Sequence, residues 1–200
     1  MLLTLPAPVS VQSLEQLRQA PAGGYDTFED VIFDTVSYPA AGTSRLTFFA
    51  QTSPDPTITN VQPAGLLPAP HYFRAHRIML DFLTEHDTQP ETGPNDRLRD
   101  CERVLNTARG ILTFNSGATQ RRRTGIPLAA IGGLGGLTAA VAGGNAQVVK
   151  NTPNGGFPFD QIIRYGESFG FEMNFAPGVA IGADLPLRLS LYGWRYVKVG

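Results

Sequence analysis

Two stretches near the end of the chain, FGFEMNF (169–175) and LRLSLYGWRY (187–196), decide the fold class. Apolar residues occupy every second position in both, and successive side chains of a strand point to opposite faces. The period of two therefore predicts two half-buried strands, separated by a turn at Pro177-Gly178. Gly193 interrupts the second pattern and predicts a β-bulge that shifts the phase to Trp194 and Tyr196. The residues expected to share one core are Phe169, Phe171, Met173, Phe175, Leu187, Leu189 and Leu191.

Further strands are predicted upstream of this pair, at 28–38, 44–51, 72–84 and 157–164. The third of them places Ile78, Leu80 and Phe82 on one face. With the shorter candidates the count reaches about eight strands, and no strand–helix–strand rhythm appears. This pattern favours an all-β fold, an antiparallel jelly-roll sandwich with a single roll.

The middle of the chain differs from the strands on both sides. Residues 95–110 have helical apolar spacing, with Asn95 as an N-cap and Gly110 as a stop. Residues 116–156 are dense in glycine, which predicts loops or irregular chain. We therefore expect an N-terminal arm at 1–24 and one jelly-roll domain at 25–200, with an insertion around 85–156 that holds one helix and a glycine-rich loop.

Composition narrows the function classes. Of 200 residues only 16% are charged, against a usual share of about 25%, and the net charge is −1. This balance argues against a general nucleic-acid binder. The single cysteine, Cys101, excludes an internal disulfide and a cysteine-based zinc site. The first residues lack the features of a secretory signal, and no apolar run reaches the length of a spanning helix.

Residues 166–170, Gly-Glu-Ser-Phe-Gly, match the G-x-S-x-G motif of the hydrolase nucleophile elbow. The elbow requires a helix after the serine, whereas here the alternating pattern predicts a strand. All three histidines precede Ser168, although the hydrolase order places the catalytic histidine after it. The motif therefore predicts a tight hairpin turn and no hydrolase activity.

The histidines also give weak support to a metal site. His71 and His76 are five residues apart, so on one regular strand they would point to opposite faces. His86 lies beyond the predicted strand end. We therefore expect no metal, no cofactor, no catalytic residues and no small-molecule substrate, and we do not expect an enzyme.

Two apolar segments lack a pattern that would bury them within their own subunit. One is the arm at 1–24, where Pro6 and Pro8 prevent a helix at the very start, and the other is the stretch 117–156, which contains the basic run 121–123. Exposed apolar surface favours association with a partner. The basic run fits a subunit contact, a solvated loop, or contact with phosphate of a genome or lipid. The predicted subunit-interface residues are Leu2, Leu3, Leu5, Arg121, Arg122, Arg123, Leu134 and Leu137.

Three short motifs carry a family resemblance. They are Leu-Pro-Ala-Pro at 67–70 before a long strand, Tyr-Gly-Glu-Ser-Phe at 165–169, and LSLYGWRYV at 189–197. In this order they resemble the jelly-roll capsid proteins of tailless bacterial viruses and their uncultivated relatives. The resemblance covers the middle strand and the last quarter of the chain.

The resemblance implies a structural virion protein, a capsid subunit that self-assembles into an icosahedral shell. Its partners would be copies of itself and other capsid proteins, with the genome or internal lipid as a further contact. It would be located in the virion and assembled in the host cytoplasm. The alternative is a jelly-roll binding module, such as a spike, decoration, or carbohydrate- or receptor-binding protein, which aromatic side chains on an exposed face would favour. A cupin-type enzyme is the third option.

Overall fold

The computed structural model describes residues 24–83, 97–117, 121–131, 137–142, 145–150, 156–176 and 178–198. Most of them belong to ten β-strands. The strands are β1 (Tyr25–Tyr38), β2 (Arg45–Phe48), β3 (His71–Phe82), β4 (Ile111–Ser116), β5 (Arg121–Pro127), β6 (Leu137–Ala142), β7 (Asn145–Lys150), β8 (Phe157–Arg164), β9 (Phe169–Asn174) and β10 (Leu185–Lys198).

Eight strands form two four-stranded sheets. The first sheet has the order β1-β10-β3-β8 and the second has the order β2-β9-β4-β5. All neighbours are antiparallel. One continuous cluster of buried apolar residues includes side chains from both sheets. The predicted all-β class with antiparallel sheets is therefore confirmed.

The core includes the residues that the alternating patterns select. The seven core residues predicted from β9, β10 and Phe175 are each 5% exposed or less. Ile78 and Leu80 of β3 are buried with them, and Phe82 is packed against the same cluster. In β10 the inward leucines alternate with residues on the outer face of the first sheet, as a strand with one wet side requires.

The irregularity predicted at Gly193 is present, but its form differs. The register of β10 against β3 shifts between Tyr192 and Gly193, and the residue left without a partner is His76 in β3. Against β1, β10 keeps a continuous register. Trp194 and Tyr196 therefore remain on the outer face with Tyr192, and the predicted phase shift of these two side chains is wrong.

The middle of the chain is more regular than its glycine content suggests. A helix at Arg97–Glu102 continues as a π-helical turn at Arg103–Thr107, which confirms a helical segment there. The prediction of loops or irregular chain over 116–156 is wrong for β5, for a helical turn at Leu128–Ile131 and for the β6–β7 hairpin. Both β4 and β5 lie within 85–156 and are strands of the second sheet.

Candidate functional site

The outer surface of the first sheet carries a cluster of aromatic side chains. Tyr192, Trp194 and Tyr196 alternate along β10 with residues that face the interior, so they point outward. Tyr25 on β1 and Tyr72 on β3 share this side according to the strand register. We call this surface the aromatic face.

Several rings of the aromatic face pack edge to face. The Tyr72 ring lies between those of Tyr25 and Tyr165, with centroid separations of 5.9 and 5.3 Å. In such pairs the positive edge of one ring meets the negative face of the next. Tyr165 is 42% exposed, and Ile162 on the neighbouring β8 is 43% exposed. The cluster is therefore a packed apolar surface that is still accessible to solvent.

Two arginines on the aromatic face already have partners. Arg74 makes a bidentate ion pair with Asp160, at 2.9 and 3.0 Å. The guanidinium of Arg188 lies over the ring of Phe33, with its carbon 4.6 Å from the ring centroid, and donates to the Thr35 hydroxyl. A guanidinium held in this way presents a planar and weakly hydrated surface. The face is therefore suited to stacking and apolar contacts.

A second candidate site is a cleft of about 320 Å³ between the β2–β3 connection and Arg195 of β10. We call it the Arg195 cleft. Its volume falls at the lower end of the range for ligand pockets, which is roughly 300–1,000 Å³. The lining is mostly apolar, and the residues of the connection that contribute to it are Pro56, Thr59, Asn60, Val61, Gln62, Leu67 and Pro68.

The charge of Arg195 is balanced inside the Arg195 cleft. Its Nε lies 2.5 Å from Oδ2 of Asp30, and its side chain is 15% exposed. Its Nη1 lies 3.4 Å from Nδ1 of His71. Because a guanidinium can only donate, the imidazole accepts this contact as a neutral ring. Burial lowers the pKa of His71, and the adjacent Arg195 lowers that pKa further.

The wall of the Arg195 cleft is hydrogen-bonded to the edge strand β1. The Asn60 side chain accepts a hydrogen bond from the Phe33 amide and donates to the Val31 carbonyl, at 2.8 and 2.6 Å. It thus takes the place of a neighbouring strand at these positions. The buried carboxylate of Asp34 accepts a hydrogen bond from the Phe49 amide. Burial raises the pKa of Asp34 above its ordinary value.

The G-x-S-x-G motif connects the two sheets. β8 ends at Arg164 in the first sheet and β9 begins at Phe169 in the second, so the predicted tight hairpin turn is wrong. Gly166 has φ 72°, which glycine adopts readily. The element after Ser168 is a strand, as predicted, so no helix N-terminus follows the serine.

Ser168 is exposed and lines a cavity of about 520 Å³. No histidine is present among the lining residues that the structure describes. A serine hydroxyl needs an adjacent base to become an effective nucleophile. The other described lining residues are Asn115, Ser116, Gly117, Phe169, Gly170 and Glu172.

We expect no covalent adduct on Ser168 after incubation with a serine-directed fluorophosphonate, because no histidine lines its cavity in the part of the chain that the structure describes. Intact-mass spectrometry followed by peptide mapping would measure this, with an active serine hydrolase as the positive control. A stoichiometric adduct that disappears in Ser168→Ala would overturn the expectation.

The predicted interface residues fall into two groups. Arg121–Arg123 open β5, an edge strand of the second sheet, and Leu137 opens β6. An edge strand presents backbone groups that can pair with another chain, and charged residues are a usual means of restraining such pairing. Contact with another subunit remains a prediction for these positions. Leu2, Leu3, Leu5 and Leu134 lie outside the described residues.

Potential metal ligands are scattered over the structure. His71 contacts Arg195. His76 lies at the irregularity in β3, and its Nδ1 is buried without a hydrogen-bond partner in the described part of the chain. His86 lies outside the described residues. Within the ranges given above, no group of three or more His, Cys, Asp or Glu side chains is arranged to hold a metal ion.

No helix among the described ranges is both long and apolar enough to cross a membrane. Comparisons with protein-family models, with curated proteins and with solved structures found no match.

Proposed function

We propose that this chain is a structural virion protein, a capsid subunit that self-assembles into an icosahedral shell, and that its sandwich is a jelly roll. The strand order is the observation that carries the proposal. If the eight sandwich strands are numbered in chain order, the first sheet reads 1-8-3-6 and the second reads 2-7-4-5. Strands 1 and 8, 2 and 7, 3 and 6, and 4 and 5 are therefore hydrogen-bonded pairs.

This pairing describes one long hairpin whose two arms pass together from sheet to sheet. A jelly roll is a double-sheet fold of eight strands with two Greek keys, and it is found in viral capsid proteins, lectins and cupins. The order therefore supports the jelly roll, and the resemblance of the three sequence motifs favours the capsid class within it. The β6–β7 hairpin would be an insertion between the fifth and sixth strands of the roll.

The surface agrees with a subunit covered by copies of itself. The aromatic face presents apolar area on the outer surface of the first sheet. β5 presents an edge strand of the second sheet that contains three arginines. Of the 16 basic residues in the sequence, only Lys150 and Lys198 are lysines. Arginine suits interfaces because its planar group stacks and bonds bidentately. A closed shell uses such contacts once for every neighbouring pair.

The proposal implies a set of partners and a location. Copies of this chain and other capsid proteins would cover the interfaces, and Arg121–Arg123 would contact either a neighbouring subunit or phosphate of the genome or internal lipid. The protein would be assembled in the host cytoplasm and located in the virion. No cofactor, substrate or catalytic role forms part of this proposal.

A jelly-roll binding module is the second candidate function. The aromatic face is the observation that favours it, because exposed aromatic rings stack on the apolar faces of sugars and on protein hot spots. In this case the chain would act as a spike, decoration, or carbohydrate- or receptor-binding protein. Its aromatic face would contact a ligand instead of a second subunit.

Sedimentation velocity and negative-stain electron microscopy of the purified protein distinguish the two functions. The capsid proposal predicts shell-like particles, with Tyr165→Ala reducing their yield and Ser37→Ala, an exposed change on β1, leaving it unchanged. A monomer at every concentration, combined with glycan or receptor binding that Tyr165→Ala weakens, would favour the binding module.

Deleting Met1–Pro8 is expected to leave a folded subunit and to weaken assembly, because the prolines keep these apolar residues out of a helix of their own. Circular dichroism and thermal unfolding would report the fold, and sedimentation velocity would report assembly. Unfolding of the truncated chain would place the arm in the core. Normal assembly would show that the arm is not needed for contacts.

A further inference from the structure

We infer that the Arg195 cleft binds the apolar segment Leu2–Pro8 of a second copy of this chain. The inference deepens the proposed capsid function and rests on it, because it names the surface that receives the arm. It follows from the chemistry of the cleft, the composition of the segment and the position at which the chain enters β1.

The chemistry of the cleft matches an uncharged apolar guest. Most of its lining is apolar, and the one cation among its described lining residues, Arg195, is paired with Asp30 and contacts His71. A charged guest would add an unpaired charge at this partly buried position, which is costly. Leu2–Pro8 has three leucines, two prolines and no charged side chain. Burying the apolar side chains of such a segment in an apolar cleft is favourable.

The two prolines favour binding of the segment in a groove over its pairing as a strand of a sheet. Pro6 and Pro8 lack backbone amide hydrogens, and each restricts the preceding residue to extended conformations. An extended segment that is already restricted loses less entropy when it binds. The tetrapeptide Leu-Pro-Ala-Pro at 5–8 also recurs at 67–70, where Leu67 is 4% exposed and lines the cleft together with Pro68. The tetrapeptide at 67–70 therefore supplies two residues of the cleft wall itself.

The position of the arm favours a neighbouring copy. β1 begins at Tyr25, which pairs with Lys198, three residues along β10 from Arg195. This separation is about 10 Å at the usual rise of a strand. β1 then runs from Tyr25 toward the cleft, so a segment bound in its own cleft would have to reverse direction before β1. The 15 residues between Pro8 and Gly24 can span at most about 50 Å, which is enough to reach an adjacent subunit.

Disulfide trapping in full-length chains tests this inference. Unlabelled Leu5→Cys is mixed with ¹⁵N-labelled Gln62→Cys and oxidised, and the disulfide between positions 5 and 62 is quantified by mass spectrometry. Gln62 is exposed and lines the cleft, whereas Ser37 is exposed near the opposite end of β1. Ser37→Cys therefore serves as the matched control. Unsubstituted chain gives the background from Cys101, which is buried.

We expect the mixed-isotope disulfide to form with Gln62→Cys at a yield roughly tenfold or more above that with Ser37→Cys, since docking raises the effective concentration of the two thiols. Equal yields for both positions would overturn the inference. The double variant Leu5→Cys/Gln62→Cys, prepared as a mixture of labelled and unlabelled chains, provides a second readout. A disulfide found only within chains of one isotope would show that the arm binds its own subunit, which also overturns the inference.

Electron microscopy of the same samples keeps the two proposals distinguishable. Particles without the preferred disulfide would overturn the arm site and leave the capsid function standing. The preferred disulfide without particles would support the arm site and count against the shell. If neither forms, both proposals fail.

Discussion

Replacing Phe171 with alanine is expected to destabilise the sandwich by about 3–5 kcal/mol. The side chain is 1% exposed, and its ring centroid lies 4.9 Å from that of Phe114, 5.6 Å from Phe159 and 6.0 Å from Phe49. These rings come from β4, from β8 in the opposite sheet and from the β2–β3 connection. A cavity at this point touches both sheets, so a shift of one element cannot close it.

Denaturant unfolding followed by tryptophan fluorescence and circular dichroism would measure the effect. For a domain of this size the expected loss corresponds to a decrease in Tm of roughly 6–20 °C. Phe28→Ala is the matched control, because Phe28 is 46% exposed and its removal leaves little cavity. Unchanged stability of Phe171→Ala, or a predominantly helical spectrum of the unsubstituted protein, would contradict the core assignment.

The burial of Phe171 could be predicted because, in a strand with one solvent-exposed face, the alternation of apolar and polar residues shows which side chains face the core. Every second residue of β9 and of the leucine-rich part of β10 is apolar, and the pleat converts that period into one buried side. The same logic predicted the inward residues of β3. The all-β class needed no knowledge of which strands are neighbours.

The pairing of strands and the candidate sites needed more than local periodicity. β5 opens with three consecutive arginines, so its sequence shows no apolar alternation. It nevertheless forms an edge strand of the second sheet. The Arg195 cleft depends on Asp30, which is 165 residues distant in sequence, and on a connection that is mostly irregular. The location of Tyr25 and Tyr72 on the aromatic face follows from the register of β1, β3 and β10, which local sequence patterns do not show. A search for aromatic residues at alternating positions opposite the core residues could have found Trp194 and Tyr196.

Gly193 shows how a local signal can be detected and still be misassigned. A glycine inside a strand indicates a bulge or a close approach of another backbone. The sequence suggested a bulge within β10, whereas β10 is regular against β1 and the extra residue belongs to β3. The glycine is instead required by the backbone of β3, which approaches it closely.

Gly193→Ala is therefore expected to destabilise the protein by about 3 kcal/mol or more, at the upper end of overpacking effects. A Cβ at this position would lie 2.1 Å from the carbonyl oxygen of Arg74 and 2.8 Å from Cζ of Phe73. The carbonyl cannot retreat without separating β3 from β10, the two central strands of the first sheet, and the Phe73 ring is fully buried. The strain thus falls on backbone pairing and on core packing together.

Gly170→Ala is the matched control, because its Cβ would meet only the Phe48 carbonyl oxygen, at 3.3 Å. Both changes add one methyl group to a strand of the sandwich and raise strand propensity equally, so the difference between them isolates the contact with β3. We expect Gly170→Ala to stay within about 1 kcal/mol of the unsubstituted protein. Equal stability of the two variants in urea unfolding would show that β3 and β10 do not approach as closely as the register requires, and the strand order that supports the jelly roll would then lose its central pair.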